Sequence, residues 1–380
     1  MNNVSAFSDC SNCGACYNIC PVSAIRLKDD GMFYSIDVDM SKCIDCGACI
    51  KACPVNHEEK VQNVISSYGG CSTDPEIVRN SSSGGAFYEL AQEVLSSGGV
   101  VFAAAYSEDF KEVSFYSTDE RPLQDLMKSK YVESKVCLSF RNVKKELDKG
   151  REVMFCGAPC QVAGLKRYLK HEYPNLLTCD FSCGGMPSHK MYREYLDEIE
   201  RKLGSNISKV DFRPKTYGWD LYAINIDLAN GKKYVKAYMQ DPYFYCFIGN
   251  HSSVRDYCYK CDFADNHYSD IILADFWMCK TVSRIPNNNT GLSLLITCSE
   301  QGEKYIDKIS KRFSLTVLDN EKATYNLKKK KPCTESFMAE RKDFLNNCDN
   351  KGFASATKKI KLRIGLKAKC RYYLKKALMK

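Results

Sequence analysis

Twelve of the 22 cysteines stand at spacings that suit metal chemistry. Residues 10–21 read CSNCGACYNICP and residues 43–54 read CIDCGACIKACP, two C-x-x-C-x-x-C-x-x-x-C-P runs offset by 33 residues. Two-residue gaps bring three thiolates to three corners of one cubane, while the fourth cysteine, followed by proline, crosses to the other cluster. The spacing therefore predicts one 4Fe-4S cluster on Cys10, Cys13, Cys16 and Cys53. A second is expected on Cys43, Cys46, Cys49 and Cys20. Gly14 and Gly47 are expected to let backbone approach the inorganic sulfides without a side chain in the way. Zinc would instead favour two Cys-x-x-Cys pairs across a longer spacer, so iron is the better fit.

A third Cys-x-x-Cys pair, Cys258 and Cys261 in RDYCYKCDFAD, lacks two ligands. The elements before it supply candidates. REVMFC reads as a strand, GAPC as a turn and QVAGLKRYLKH as a helix; NLLTCDFSC, GGMPS and HKMYREYLDEIERKLG repeat that order. Such a βαβα unit makes a right-handed crossover between parallel strands. Cys160 and Cys183 then lie at the carboxyl edge of one sheet, where open α/β sheets hold ligands. Each precedes a helix N-terminus, which is expected to lower its thiol pKa. Cys160, Cys183, Cys258 and Cys261 are thus expected to hold a third 4Fe-4S cluster. A closed zinc site stays open as the alternative, because soft thiolates accept either metal.

Cys156, Cys179, Cys71, Cys137, Cys246, Cys279, Cys298, Cys333, Cys348 and Cys370 lack pair spacing and are read as packing residues. His189 and Lys166 are read as surface residues, and no catalytic residue is assigned. Ala86, Leu90, Val94 and Leu95 recur at helical spacing before Gly98–Gly99. The loop Ser81–Gly85 before that helix is either an anion cradle or an ordinary serine N-cap. MFYSIDVDM, VISSYGGCS, VVFAAAYS, EVSFYST, SDIILADFW and GLSLLITCS read as strands, and YAINIDLANGKKYVKAYM as a hairpin turning at Asn230–Gly231.

The net charge of +9 is concentrated in residues 357–380, which hold ten Lys and Arg and no acid. Without them 45 basic residues face 46 acidic ones, a net of −1. Ile360, Ile364, Leu366, Tyr373, Leu374 and Leu378 partly share one helical face, so the tail is either a solvated end or a peripheral contact with anionic lipid. No motif supports nucleic-acid binding. MNNVSAFSDC has neither a basic region nor an apolar run, so no export is expected. A cytoplasmic, reducing location, with the tail at the inner membrane face as an option, makes the cysteines metal ligands rather than disulfides.

The segments SSSGGAFYELA, KSKYVES, VMFCGAPCQVAGLKRYL, CDFSCGGMPS and CYKCDFADNHYSDIILADFW resemble the beta subunit family of coenzyme F420 hydrogenases and dehydrogenases. With the ferredoxin module the likeness reaches about residue 310. It implies an α+β body that binds FAD and an iron–sulfur cluster and acts on a deazaflavin. It supports Cys160, Cys183, Cys258 and Cys261 as ligands and implies Ser83, Gly84 and Gly85 as flavin contacts. Ala158, Gly184 and Ala274 depart from the family pattern, and Gly184 replaces a histidine that could donate a proton near the third cluster. Relatives with a ferredoxin module also occur beside surface-polysaccharide genes, so the substrate does not carry over.

The expected fold is α+β or α/β. Residues 1–60 would form a two-cluster ferredoxin domain, 64–145 and 146–320 the two parts of a mixed-sheet α/β body, and 321–380 a basic helical extension. The expected function is an iron–sulfur flavoprotein oxidoreductase linking a redox partner protein or soluble carrier to a small substrate. The alternatives are a non-catalytic electron-transfer subunit and a metal-stabilised component of surface polysaccharide biosynthesis.

Overall fold

A computed structural model describes all residues except 1, 8, 58–62, 222, 284, 286–288, 326, 328–330, 359–372 and 374–380. In the ferredoxin module β1 (Ile25–Lys28) pairs antiparallel with β2 (Ser35–Val38), and short helices Ala15–Ile19 and Ala48–Ala52 lie within the two cysteine runs. Gly14 and Gly47 precede them with φ of 87° and 70°, where a Cβ costs strain. A Cβ on Gly14 would also lie 2.8 Å from Val136 Cβ, and one on Gly47 2.5 Å from Asn2 Nδ2. The crowding that these glycines relieve thus comes from the protein's own atoms.

The body is built on one mixed eight-stranded sheet. Its strands are β3 (Ser66–Ser72), β4 (Val100–Tyr106), β5 (Val113–Ser117), β6 (Val153–Cys156) and β7 (Leu176–Phe181), with a separate β8 (Ile207–Asp211), β9 (Ala223–Leu228) and β10 (Lys233–Ala237) set apart. The large sheet is completed by β11 (Ile271–Asp275), β12 (Ser293–Thr297) and β13 (Phe313–Leu318), in the order β13-β3-β12-β11-β7-β6-β4-β5. Strands β4, β6, β7 and β11 run parallel; the outer pairs are antiparallel. The parallel centre reads as apolar runs because both faces are covered. Helix Ala86–Ser96 packs its buried Leu90, Ala91 and Val94 on one face. Helix Pro159–Leu169 covers the other with Val162, Ala163 and Leu165. Strands β8, β9 and β10 form an antiparallel sheet whose hairpin turns at Gly231 with φ 82°. Its aromatic core meets helix His189–Leu203.

The ferredoxin module shares a core with the body: Ala15, Cys16 and Tyr17 belong to the same apolar cluster as Phe140, Val162 and Phe247. Arg141 fastens it by donating to Asn18 O at 2.7 Å and Cys20 O at 2.8 Å. The expectation that His189 is a surface residue is overturned. It is 1% exposed, stacked on Tyr34 with ring centroids 3.7 Å apart and held between Glu133 and Asp29. Lys166 is half-buried. Helix Glu335–Lys351, within the stretch expected as a basic extension, is docked through a fully buried Cys348 and a buried Arg341 bonded to Val254 O. Of the apolar face expected in the tail only Tyr373 is described, and it is exposed; the rest lies outside the described residues. Among the described residues, no helix is long and apolar enough to cross a membrane.

Gly164, in the helix that carries Cys160, packs against the Cys13 loop of the ferredoxin module. A Cβ there would lie 3.1 Å from Cys13 Cβ and 3.2 Å from Cys13 Sγ. Gly164→Val is expected to lower stability by about 1–3 kcal/mol through overpacking. Guanidinium unfolding of the cluster-loaded protein checks this; an unchanged midpoint would mean that helix and Cys13 loop do not touch.

Candidate functional site

The fold gathers the motif cysteines into three groups. Burial pushes the Cys13 thiol up to about 12, helped by charge on Cys53 and then Cys10. Burial also raises Cys16, with Cys13, Cys10 and Cys53 adding to it. Cys53, from the second run, therefore sits among the thiols of the first. Conversely Cys20, from the first run, lines a small cavity with Cys43, Cys46 and Cys49. Backbone and side-chain donors already point at several sulfurs: Asn12 N at 3.3 Å from Cys10 Sγ, Ala24 N at 3.3 Å from Cys20 Sγ, and Asn3 Nδ2 at 3.7 Å from Cys43 Sγ.

Cys160 lies in the first turn of helix Pro159–Leu169, directly after β6. Cys183 follows β7, and Cys258 and Cys261 flank Tyr259–Lys260 at the end of a short 3-10 turn, Asp256–Tyr259. The four come together. Burial raises the Cys160 thiol most, followed by charge on Cys261, Cys183, Cys13 and Cys258. Burial and Cys183 push Cys258 up to about 12 and Cys261 up to about 11. The helix N-terminus thus does not leave Cys160 with the lowered pKa expected of it, because loss of hydration outweighs the dipole. Gly185 N donates to Cys183 Sγ and Met186 N to Cys258 Sγ, both at 3.4 Å. Cys160 Sγ reaches Ser11 O at 3.8 Å, so this group borders the Cys10–Cys13 loop. Among the described residues, no three His, Cys, Asp or Glu side chains converge on a single-ion site.

A cavity of about 590 Å³ opens at the carboxyl ends of β6, β7 and β11, and its wall includes Cys183, Cys156, Phe181 and Asp275. Ser81–Ser83 and Gly85 line it too. Ser83 Oγ donates to Leu292 O at 2.5 Å, and Lys215 Nζ donates to Ser83 O at 2.7 Å. Gly84 is turned into the sheet, where its N donates to Ser293 Oγ at 2.9 Å and a Cβ would lie 2.5 Å from Gly70 O. Among the three expected flavin contacts, then, Ser83 and Gly85 border the cavity while Gly84 packs.

Several residues on the wall, or bonded to it, carried no assigned role in the sequence. Arg213 forms a two-pronged pair with Asp275, at 2.8 and 3.1 Å, and lies 5.4 Å from the centre of the Trp277 ring. Trp277 stacks on Trp219 at 4.3 Å. Lys128 pairs with Asp211. Lys130 Nζ donates to Met127 O at 2.5 Å, and burial pulls its amine down to about 7 against the opposing charge of Asp125. KSKYVES contains both lysines, but only the folded loop shows that they face the same space as Cys183.

Because the Lys130 amine titrates lower when folded than unfolded, the unfolded chain binds more protons between about pH 7 and the ordinary lysine range. Stability should rise with pH through that window, and Lys130→Met should remove the contribution. Equilibrium unfolding of both chains between pH 7 and 9.5 checks it; identical slopes would contradict the burial of the amine.

Residues 150–323 match the family model for the carboxyl-terminal part of the coenzyme F420 hydrogenase/dehydrogenase beta subunit, and residues 9–57 match that of a 4Fe-4S dicluster domain. No curated protein matches the chain. Among solved structures it is similar to a chain of the F420-reducing NiFe hydrogenase complex from Methanosarcina barkeri, studied as a xenon derivative, at 15% identity and a TM-score of 0.47, covering 68% of this chain and 85% of that one. The chain thus joins a region similar to the coenzyme F420 hydrogenase/dehydrogenase beta subunit to a 4Fe-4S dicluster domain, a combination of the iron–sulfur, oxidoreductase type of electron transfer.

Proposed function

We propose that this chain is an iron–sulfur flavoprotein oxidoreductase with three 4Fe-4S clusters. Cys10, Cys13, Cys16 and Cys53 would hold the first, and Cys43, Cys46, Cys49 and Cys20 the second. Cys160, Cys183, Cys258 and Cys261 would hold the third, and FAD would lie in the cavity. The observation that carries the reading is the double position of the third group. Its Cys160 borders the Cys13 loop, while its Cys183 is part of the cavity wall. Sulfur sites in contact with both neighbours would let single electrons cross from the ferredoxin module to the cavity.

The cavity's residues fit a flavin. Phe181 and Trp277 are large apolar side chains left 40% and 43% exposed, and both line it; such surface inside a concave site suits an aromatic ligand. Lys128 supplies a cationic donor and Lys130 an amine donor for anionic parts of the ligand, and Ser83 and Gly85 present backbone at a helix start. A bound flavin would convert single-electron steps into two-electron or hydride chemistry on a small substrate or deazaflavin-like coenzyme. Cys46, in the second group, is exposed, which suits exchange with a ferredoxin-type carrier or redox partner protein. The second reading, a non-catalytic electron-transfer subunit, shares the clusters and differs in the flavin.

Anaerobic purification with iron, sulfide, zinc and flavin measured together tests this reading. The expected content is about twelve irons per chain, from three four-iron clusters, with FAD released on denaturation. Cys183→Ala should reduce iron to about eight while the two ferredoxin-type EPR signals persist. About eight irons in both chains, or stoichiometric zinc, would overturn the third cluster; full iron without flavin would leave the subunit reading.

A further inference from the structure

Arg255 sits three residues before Cys258 and is buried, with 8% exposure. Its side chain points toward the ferredoxin module. Nε donates to Glu133 Oε1 at 2.8 Å, Nη2 to the same oxygen at 2.5 Å and to Tyr34 O, and Nη1 to Cys10 O at 3.4 Å. Its backbone serves the other thiol group. Arg255 N donates to Met186 O at 2.9 Å and Arg255 O accepts from Cys258 N at 3.0 Å, while Met186 N donates to Cys258 Sγ.

Arg255 therefore links the two thiol groups, its guanidinium against the Cys10 loop and its backbone against Cys258. Burial alone would lower its pKa; the Glu133 carboxylate, then charge on Cys10 and on Cys258, reverse that and raise it. Inside a protein, weak screening makes a fixed charge felt at both positions. Cluster potentials respond to nearby charge and to hydrogen bonds.

We propose that Arg255 is a positioning residue for electron transfer, raising the potentials of the first and third clusters together while Glu133 tempers its charge. This rests on the three-cluster reading above. The step itself moves one electron and no atoms: whichever of the two clusters gives it up is oxidised by one and the other reduced by one. Arg255 shifts both toward the reduced form and ties their loops to one anchor. The second cluster, on Cys20, Cys43, Cys46 and Cys49, has no such contact with this guanidinium among the bonds described.

EPR-monitored redox titration of the anaerobically purified chain tests this, using Arg255→Gln, Arg255→Lys and Glu133→Gln. Signals are assigned from chains lacking one cluster through Cys16→Ala, Cys49→Ala or Cys183→Ala. Arg255→Gln is expected to lower the potentials of the first and third clusters and leave the second unmoved. Arg255→Lys should recover most of that loss, and Glu133→Gln should shift the same two upward. Opposite signs from two changes in one contact separate charge from mere loosening. Equal movement of all three signals, or no movement, overturns the role of Arg255 even with all three clusters present. Retention of full iron by Cys183→Ala overturns the underlying reading instead.

Discussion

A carboxylate with no exposure to water joins the two parts of this protein. Glu133 accepts from Arg255, from Asn12 Nδ2 at 3.0 Å and from Tyr34 N at 3.1 Å, and meets His189 Nδ1 at 3.2 Å. Two of those partners belong to the ferredoxin module and two to the body. Burial would raise its pKa; Arg255, and then His189, bring it below the usual carboxylate range. A buried charge is tolerable only when its lone pairs are satisfied. This one is satisfied only when module, body and the Cys258 loop are docked together. The approach of the Cys160 group to the Cys13 loop depends on that docking.

The same burial shapes the cysteines. Cys13, Cys16, Cys160 and Cys258 are all raised chiefly by loss of water and then by neighbouring motif cysteines. Thiols so placed hold their protons unless a cation replaces them, so metal binding and folding are coupled through the same desolvation. Backbone donors at 3.3–3.4 Å from Cys10, Cys20, Cys183 and Cys258 then face sulfurs that would carry charge once ligated. Such hydrogen bonds stabilise a thiolate more than a thiol.

The cavity follows from sheet topology. Parallel strands β6, β7 and β11 end at the same edge, so loops starting from Cys156, Phe181 and Asp275 converge there. Arg213 comes from beyond β8, in the second sheet's part of the chain, and its pair with Asp275 ties that sheet to the cavity wall. Lys128 and Lys130 come from a loop more than a hundred residues earlier than Asp275 in the chain. Remote segments thus build one wall, and the Arg213–Asp275 pair braces it from behind.

Local pattern determined much of this. The two ferredoxin runs, the βαβ unit around Cys160, the helix after Ser81–Gly85 and the Asn230–Gly231 hairpin were all legible in the sequence, because ligand spacing, hydrophobic periodicity and turn chemistry are properties of neighbouring residues. What only the tertiary structure decided depends on residues far apart. His189 read as a surface side chain because nothing beside it in sequence shows Tyr34 and Glu133 closing over it. Gly84 read like Gly85, yet contact with Gly70 and Ser293 turns it away from the cavity. The raised thiols of Cys160 and Cys258 came from desolvation, which no spacing reveals, since exclusion of water is set by everything that packs around a group.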